Sequence, residues 1–202
     1  MRQETVTYNI FSFNELAPEI QEKVLDNFRQ DIFDEFECQN LTETFQEILS
    51  NLGLPGDDIR WSISNCQGDG VAFYGKIDTV KLMTLNLNDL FSDIRRFKPE
   101  LEQIKSKLNK LGDDTFLKIE KINPHYDHHN SMEVTGEHYN DDPKLELTFQ
   151  ELLSDLESLI KDVSKHLFNV GSKHVDFIYS DEYIKETIGI NNYEFLVDGS
   201  QF

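Results

Sequence analysis

Residues 61–75 constrain the fold of this chain more than any other stretch, because they predict a β-hairpin. Ile59, Trp61 and Ile63 alternate with polar residues, and Val71 and Phe73 resume the alternation beyond a polar turn. The pattern predicts two short strands that pair around an unusual tip.

That tip contains Gly68 and Gly70 on either side of Asp69. Glycine can take positive φ without steric cost, so the two glycines predict a sharply bent backbone that turns Gln67 and Asp69 outward. Gln67, Gly68, Asp69 and Gly70 are therefore candidate binding residues. The alternative is an ordinary turn, in which Asp-Gly is common turn chemistry.

Two helices are predicted before the hairpin. Pro18 suits a first helical position, and an apolar stripe follows it to about Phe36. Asn40 followed by Glu43 resembles a capping box, which would open a second helix that ends at Gly53.

Further strands are predicted from alternating residues in four places. Residues 4–13 predict a first strand and residues 193–197 a closing one, while 115–122 and 132–134 predict a second hairpin around a histidine-rich turn.

The remaining segments show helical periodicity. Apolar residues recur over 87–97, Pro99 interrupts them, and a second stripe follows from Leu101 to Gly112. We expect two helices with a break between them.

The longest periodic run begins at Thr148 and Glu151, which form another possible capping box, and continues past Gly171 to Ile178. Gly171 either ends this helix or lies inside a helix of about 30 residues at a cost near 1 kcal/mol. We favour the continuous helix. Ser180 is expected to cap a short helix after it.

Together these elements predict an α+β fold, a mostly antiparallel sheet with helices packed on one side. A chain of 202 residues can bury a sufficient core without disulfides or metal, so we expect a single domain over residues 1–202.

The chain is strongly acidic. It has 38 Asp and Glu residues against 19 Lys and Arg, a formal net charge of −19. Such a surface repels free nucleic acid and anionic membranes, so a basic protein is the better partner. The alternative is that the acidity only maintains solubility.

Cys38 and Cys66 lie far apart in sequence and predict free thiols. We find no signal-peptide core, no membrane-span length of apolar residues, no P-loop and no dinucleotide fingerprint. A cytoplasmic protein without a cofactor or membrane partner is expected, and the oligomeric state is left open.

Several separated pieces are informative together: FSFNEL at 11–16, CQGDGVAF at 66–73, HYDHHNSM at 125–132, and YSDEYIKETI with NYEFLVDG at 179–199. In combination they resemble a family of small proteins from phages, prophages and plasmids, labelled hypothetical or as toxin–antitoxin stability antitoxins. The resemblance spans nearly the whole chain and implies a mobile-element setting. Ala17 and Cys66 stand where that family commonly has hydroxyl residues, and the second departure argues against a nucleophilic role for Cys66.

Four histidines fall within 14 residues near several acidic and phenolic side chains. Zinc could use such ligands, but their spacing matches no closed zinc motif, so we assign no metal ligand. The cluster comprises His125, His128, His129 and His138 with Tyr126, Asp127, Glu133, Glu137, Asp141 and Asp142.

If this turn lies beside the hairpin tip, the two could form a site with a base, an acid, an amide and backbone donors. That is the minimum for metal-free phosphodiester cleavage. Asp69, Tyr126 and His128 are then the candidate catalytic residues, with Ser131 as a further binding residue. The alternative is a polar network that holds the two hairpins together.

A basic strip could contact RNA despite the net charge, although a solvated face paired with Glu100 and Glu102 is the simpler explanation. The strip contains Arg95, Arg96, Lys98, Lys105, Lys107 and Lys110.

The net charge and the absence of a strong catalytic motif favour a binding protein, an acidic inhibitor or neutraliser of a basic nucleic-acid-handling protein. The resemblance implies that a mobile element encodes it and that its target is a host protein. An anti-CRISPR or antitoxin role belongs to this class. The alternative is an RNA-cleaving enzyme that uses Gln67, Asp69, Tyr126 and His128.

Overall fold

The structure, a computed structural model, describes residues 2–4, 6–64, 66–112, 114–139 and 142–202. Its helices are Pro18–Asp31 (α1), Glu35–Asn51 (α2), Thr79–Thr84 (α3), Lys98–Leu111 (α4), Pro143–Ile178 (α5) and Asp181–Ile190 (α6). Its strands are Phe11–Ser12 (β1), Asp58–Ser62 (β2), Gly70–Lys76 (β3), Thr115–Lys121 (β4), Met132–His138 (β5) and Glu194–Phe195 (β6).

Both predicted hairpins are present and form one antiparallel sheet in the order β2-β3-β4-β5. Trp61 pairs with Val71 across the first hairpin, and Ile119 pairs with Val134 across the second. In β4, Leu117 and Ile119 are buried whereas Phe116 and Lys118 are exposed, so the inner face of the sheet covers the core and the outer face meets water. The predicted α+β class is confirmed.

The described chain divides into two compact units. We name residues 39–172 the central unit, and residues 1–38 with 173–202 the terminal unit. The boundaries fall inside α2 and inside α5. The expectation of a single domain stays a prediction.

The central unit has a core formed by the inner sheet face and by α2, α4 and α5. Phe45, Phe73, Ile104 and Leu156 are fully buried in it. The terminal unit has its own smaller core, in which Val24, Leu25, Ile184 and Phe195 are almost completely buried. Each unit therefore removes its own apolar surface from water.

Two predicted capping boxes lie inside helices instead of at their starts. α2 begins at Glu35, where Asp34 Oδ1 accepts from the Glu37 N–H (3.0 Å). Thr148 lies within α5, and its hydroxyl donates to the Lys144 carbonyl (3.1 Å). At the true start of α5, Asp142 Oδ1 accepts from the Lys144 N–H (2.9 Å). An acidic residue thus caps each helix at its start, because it satisfies backbone donors that an interior polar side chain cannot reach.

The predicted terminal strands are much shorter than expected. Among the described residues of 4–13 and 193–197, strand pairing between the two segments is confined to Phe11–Ser12 and Glu194–Phe195, and Val6, Tyr8 and Ile10 are exposed. Residues 4–13 have high β-propensity, but the strand that could pair with them is too short for a long strand to form.

The predicted helix over 87–97 is also wrong. This segment consists mainly of turns, with a 3-10 helix at Arg95–Phe97 that leads into α4. Leu90, Ile94 and Phe97 are buried without belonging to an α-helix. α3, which Asp78 caps through the Lys81 N–H (2.9 Å), was not predicted because it is short.

The continuous long helix is confirmed, since α5 runs through Gly171. A Cβ at Gly171 would lie 2.3 Å from Ile63 Cδ1 and 3.0 Å from Phe45 Cζ. The glycine therefore lets Ile63, directly after β2, and Phe45 of α2 pack close to the helix backbone. None of the described helices combines the length and apolarity that crossing a bilayer requires.

We expect opposite effects from alanine at two helical glycines. Gly189 in α6 has open space around it, so Gly189→Ala should raise the free energy of unfolding by about 0.5–1 kcal/mol through helix propensity. Gly171→Ala should lower it by about 1 kcal/mol or more, because overpacking outweighs the same propensity gain. Urea unfolding of both variants measures this.

The control for Gly171→Ala is the same change in an Ile63→Val background, which removes the nearest atom. The alanine should cost less there. An equal cost in both backgrounds would show that contact with Ile63 is not the cause.

Candidate functional site

The tip of the first hairpin and the loop of the second hairpin meet, as the catalytic hypothesis required. A Cβ at Gly70 would lie only 2.4 Å from His128 Cβ and 2.8 Å from His128 Cα. A Cβ at Gly68 would lie 3.1 Å from the Tyr126 ring. The structure therefore brings Gly68, Gly70, Tyr126 and His128 together.

The reason for glycine at the tip differs from the one predicted. Neither Gly68 nor Gly70 has positive φ, whereas Gly53 and Gly75 do. Gly70 is buried and lacks room for a side chain. The two glycines serve close packing between hairpins, so the expectation of a left-handed tip was wrong.

The Asp69 carboxylate points back into its own loop. Oδ1 accepts from the hydroxyls of Ser62 (2.7 Å) and Ser64 (3.0 Å), and Oδ2 accepts from the N–H groups of Ser64 (2.7 Å) and Cys66 (2.8 Å). Burial raises the pKa of this carboxyl, but the Cys66 N–H and the Ser62 and Ser64 donors lower it more, to about 2. With four donors on two oxygens, Asp69 holds the turn, which favours the structural alternative over a catalytic role.

The side chains of the second loop also have local partners. The Tyr126 ring stacks on His128, with centroids 5.8 Å apart, and His128 Nδ1 accepts from the Asn130 N–H (3.0 Å). Ser131 is fully buried; its hydroxyl accepts from the His128 N–H (2.9 Å) and donates to the His128 carbonyl (2.7 Å). Among the predicted site residues, Gln67 and Tyr126 are the exposed side chains.

A polar network ties the two hairpins together, as the structural alternative predicted, but it uses Tyr74 and Lys121, which the sequence did not single out. Tyr74 donates to Asp127 Oδ1 (2.7 Å), which also accepts from Lys121 (2.8 Å). Burial raises the pKa of Tyr74 to about 12, and the Asp127 carboxylate adds to that rise. Burial raises the pKa of Asp127, but the hydrogen bonds from Lys121 and Tyr74 lower it by more. The pKa of Asp127 therefore lies below its ordinary value. The signal in the sequence was a tyrosine directly after the apolar Phe73, at the position of the predicted strand that alternation places on the outer sheet face.

A shallow groove of about 470 Å³ runs along the outer sheet face beside this network. Its cations are paired locally: Arg60 with Asp58 (3.0 Å), Lys118 with Glu120 (2.7 Å) and Lys121 with Asp127. Positive and negative side chains therefore balance each other along the groove. The groove does not favour a ligand of either charge.

The histidines do not all gather in one place, although the rings of His128 and His129 contact each other with centroids 5.6 Å apart. His138 lies at the end of β5, where it stacks on Phe149 (5.9 Å) with Nδ1 3.3 Å from the Thr115 hydroxyl. Within the described ranges, no group of three or more His, Cys, Asp or Glu side chains is placed to hold a metal ion. Asp141 of the predicted cluster lies outside those ranges.

The basic strip is largely engaged within the central unit. Arg95 donates to the Leu90 carbonyl, Arg96 lies over the Phe97 ring, and Lys98 donates to Asn88. Lys105 donates to the Leu85 carbonyl, and Lys107 forms an ion pair with Asp155 (2.8 Å). These local partners favour the solvated-face explanation over RNA contact.

Acidity and exposed apolar side chains are concentrated in the terminal unit. Its 68 residues contain 15 acidic and 5 basic residues, a formal charge of −10, whereas the 134 residues of the central unit have −9. Of the large hydrophobic side chains exposed among the described residues, nine lie in the terminal unit and seven in the central unit, which is twice as long. These nine are Val6, Tyr8, Ile10, Phe36, Phe177, Tyr179, Ile190, Val197 and Phe202.

The model of one family, described as Domain of unknown function (DUF8835), matches residues 38–181. The match contains the whole central unit and leaves most of the terminal unit outside it. No curated protein and no solved structure matches the chain.

We expect Asp69→Asn to lower the free energy of unfolding by about 1–3 kcal/mol, because an amide NH₂ cannot accept from the donors that surround this position. The effect should depend on pH. The folded pKa of about 2 lies below the ordinary value of 3.8, so the carboxylate's contribution is full above pH 3.8 and is lost as the pH falls toward 2. Urea unfolding of both proteins across this range measures it.

Gln67→Ala is the control on the same tip, and it should change stability by less than about 0.5 kcal/mol. If Asp69→Asn is as mild as Gln67→Ala at neutral pH, the four hydrogen bonds do not hold the turn, and the carboxylate is again a candidate for ligand binding.

Proposed function

We propose that this chain, which belongs to the DUF8835 family, is an acidic binding protein that captures a basic, nucleic-acid-handling protein and inhibits or neutralises it. The observation that carries this proposal is the composition of the terminal unit, where the highest density of negative charge coincides with exposed aromatic and aliphatic side chains.

Charge supports the choice of partner. A net charge of −10 within 68 residues attracts a basic surface over several ångströms and accelerates encounter, while it repels free nucleic acid. A protein that normally binds nucleic acid offers a complementary basic surface, so the acidic surface could compete with the nucleic acid for it.

Exposed aromatic side chains support a protein contact instead of a solubility role alone. Tyr8 and Phe202 contact each other with ring centroids 6.0 Å apart, and 55% and 63% of their surfaces are exposed. Aromatic anchors surrounded by polar groups are typical of protein interfaces, whereas a surface selected only for solubility avoids them.

The resemblance to phage, prophage and plasmid proteins supports a mobile-element setting, with a counter-defence, anti-CRISPR-like or antitoxin-like role. Action in the cytoplasm is part of the proposal. Cys38 and Cys66 are both free thiols, which suits a reducing compartment.

The RNA-cleaving alternative has less support. Cleavage without a metal requires an available acid and base at the reacting phosphate, and the Asp69 oxygens are already occupied by four donors. Purified protein incubated with mixed RNA, with and without a chelator, should leave the RNA intact. Cleavage that His128→Ala abolishes without unfolding the protein would restore the enzyme hypothesis.

The binding proposal is tested with two variants of equal charge. Glu22→Gln, Asp176→Asn and Glu186→Gln remove three exposed charges from the terminal unit, and Glu47→Gln, Glu100→Gln and Glu133→Gln remove three from the central unit. In affinity purification from a bacterial lysate at low salt, the first variant should lose a basic partner that wild type and the second variant retain.

The partner is then purified, and its binding is measured directly with and without nucleic acid. Release by high salt and competition by nucleic acid are expected. If both variants lose the partner equally, net charge alone explains the binding and the terminal unit is not the site. If no basic protein is recovered at low salt, the proposed function is contradicted.

A further inference from the structure

A pocket of about 330 Å³ lies within the terminal unit, between α1 and the turn that follows β6. Its lining includes Val24, Phe28 and Asp31 from α1, with Phe195, Gly199 and Gln201 from the C-terminal segment. None of these lining residues belongs to either hairpin.

The sequence builds this pocket from one helix face and one glycine turn. Val24, Phe28 and Asp31 follow each other at spacings of four and three, so they share a face of α1. Gly199 has φ of +84°, and a Cβ there would lie 2.9 Å from Ile20 Cγ2. The close approach of this turn to α1 forms the second wall.

The pocket floor is apolar and aromatic. Val24 and Phe195 are each 1% exposed, and the half-buried Phe28 ring lies 5.7 Å from Tyr193 and 6.5 Å from Phe195. These packed neighbours hold Phe28 in place. Its ring is therefore a fixed wall of the pocket.

Asp31 is the ionisable residue in the lining, and its carboxylate makes no hydrogen bond or ion pair within the described part of the chain. The nearest cations of α1 are used elsewhere, since Arg29 pairs with Asp26 and Asp181, and Lys23 donates to the Asp198 carbonyl. An unpaired carboxylate thus stands beside an aromatic wall in a unit with net charge −10.

We propose that this pocket binds an arginine side chain of the basic partner. The inference rests on the proposed function and deepens it by assigning one anchor point. The aliphatic stem packs on the apolar floor, the guanidinium plane stacks on Phe28, and its N–H groups donate to the Asp31 carboxylate.

Arginine fits these groups better than lysine does. Its planar guanidinium stacks on aromatic rings and presents paired donors to a carboxylate, whereas the lysine ammonium is a strongly hydrated point charge. An arginine held between an aromatic ring and a carboxylate is also a frequent interface hot spot.

The test uses N-acetyl-arginine methylamide as the probe, with the citrulline and lysine analogues as matched controls. Citrulline has nearly the same shape without the charge. In NMR titrations of the full ¹⁵N-labelled chain at constant salt, the arginine probe should saturably shift the amides of residues 24–32 and 199–201. Citrulline should bind at least about tenfold more weakly, and lysine should bind between the two.

Asp31→Asn should weaken arginine binding about tenfold, whereas Glu22→Gln, an equal charge change on the same helix outside the pocket lining, should leave it within about twofold. Amide spectra establish that both variants remain folded. Equal binding of arginine and citrulline, shifts confined to other residues, or equal loss in both variants would each overturn the pocket assignment.

This result is separable from the proposed function. If the lysate experiment recovers a basic partner but the arginine probe does not bind the pocket, the partner uses another part of the terminal unit. If Asp31→Asn weakens capture of the partner as well as binding of the probe, the proposed function and the arginine pocket are both supported.

Discussion

The fold of the central unit depends on the contact between its two hairpins. At Gly70 the first hairpin backbone comes so close to His128 that no side chain fits, and the hydrogen bond from Tyr74 to Asp127 joins the same two hairpins on the outer sheet face. Asp69 in turn holds the tip that makes this approach. Residues that looked like a catalytic group are therefore better explained as the joint of a four-stranded sheet.

The most distinctive motif, the hairpin tip at residues 67–70, is thus better explained by structure than by function. The family match covers the central unit, whose cations are mostly paired with neighbouring groups. The terminal unit lies mostly outside the match and contains the higher density of acidic residues, exposed aromatic side chains and a pocket lined by Asp31. These differences direct experiments on function toward residues 1–38 and 173–202.

Much of the fold could be predicted because several local patterns agree with each other. Alternation identified both hairpins, and periodicity identified α1, α4 and the helix through Gly171. For the candidate site, the sequence analysis stated the meeting of Tyr126 and His128 with the tip only as a condition, and the structure meets it. The occupied Asp69 carboxylate, the buried Ser131 and the part of Tyr74 in the network between the hairpins were not predicted. Hydrogen bonds between distant residues leave no periodic trace in a sequence.

Local composition and residue spacing were enough to predict the α+β class, the central hairpin and the excess of acid. The ends of the strands, the need for glycine at the tip and the pairing of individual charges became visible only in the folded chain. A strand ends where its partner ends, a glycine is required where another backbone approaches, and a carboxylate is free only if no donor reaches it. All three depend on residues far along the chain, as Gly70 against His128 and Asp31 beside Gly199 illustrate.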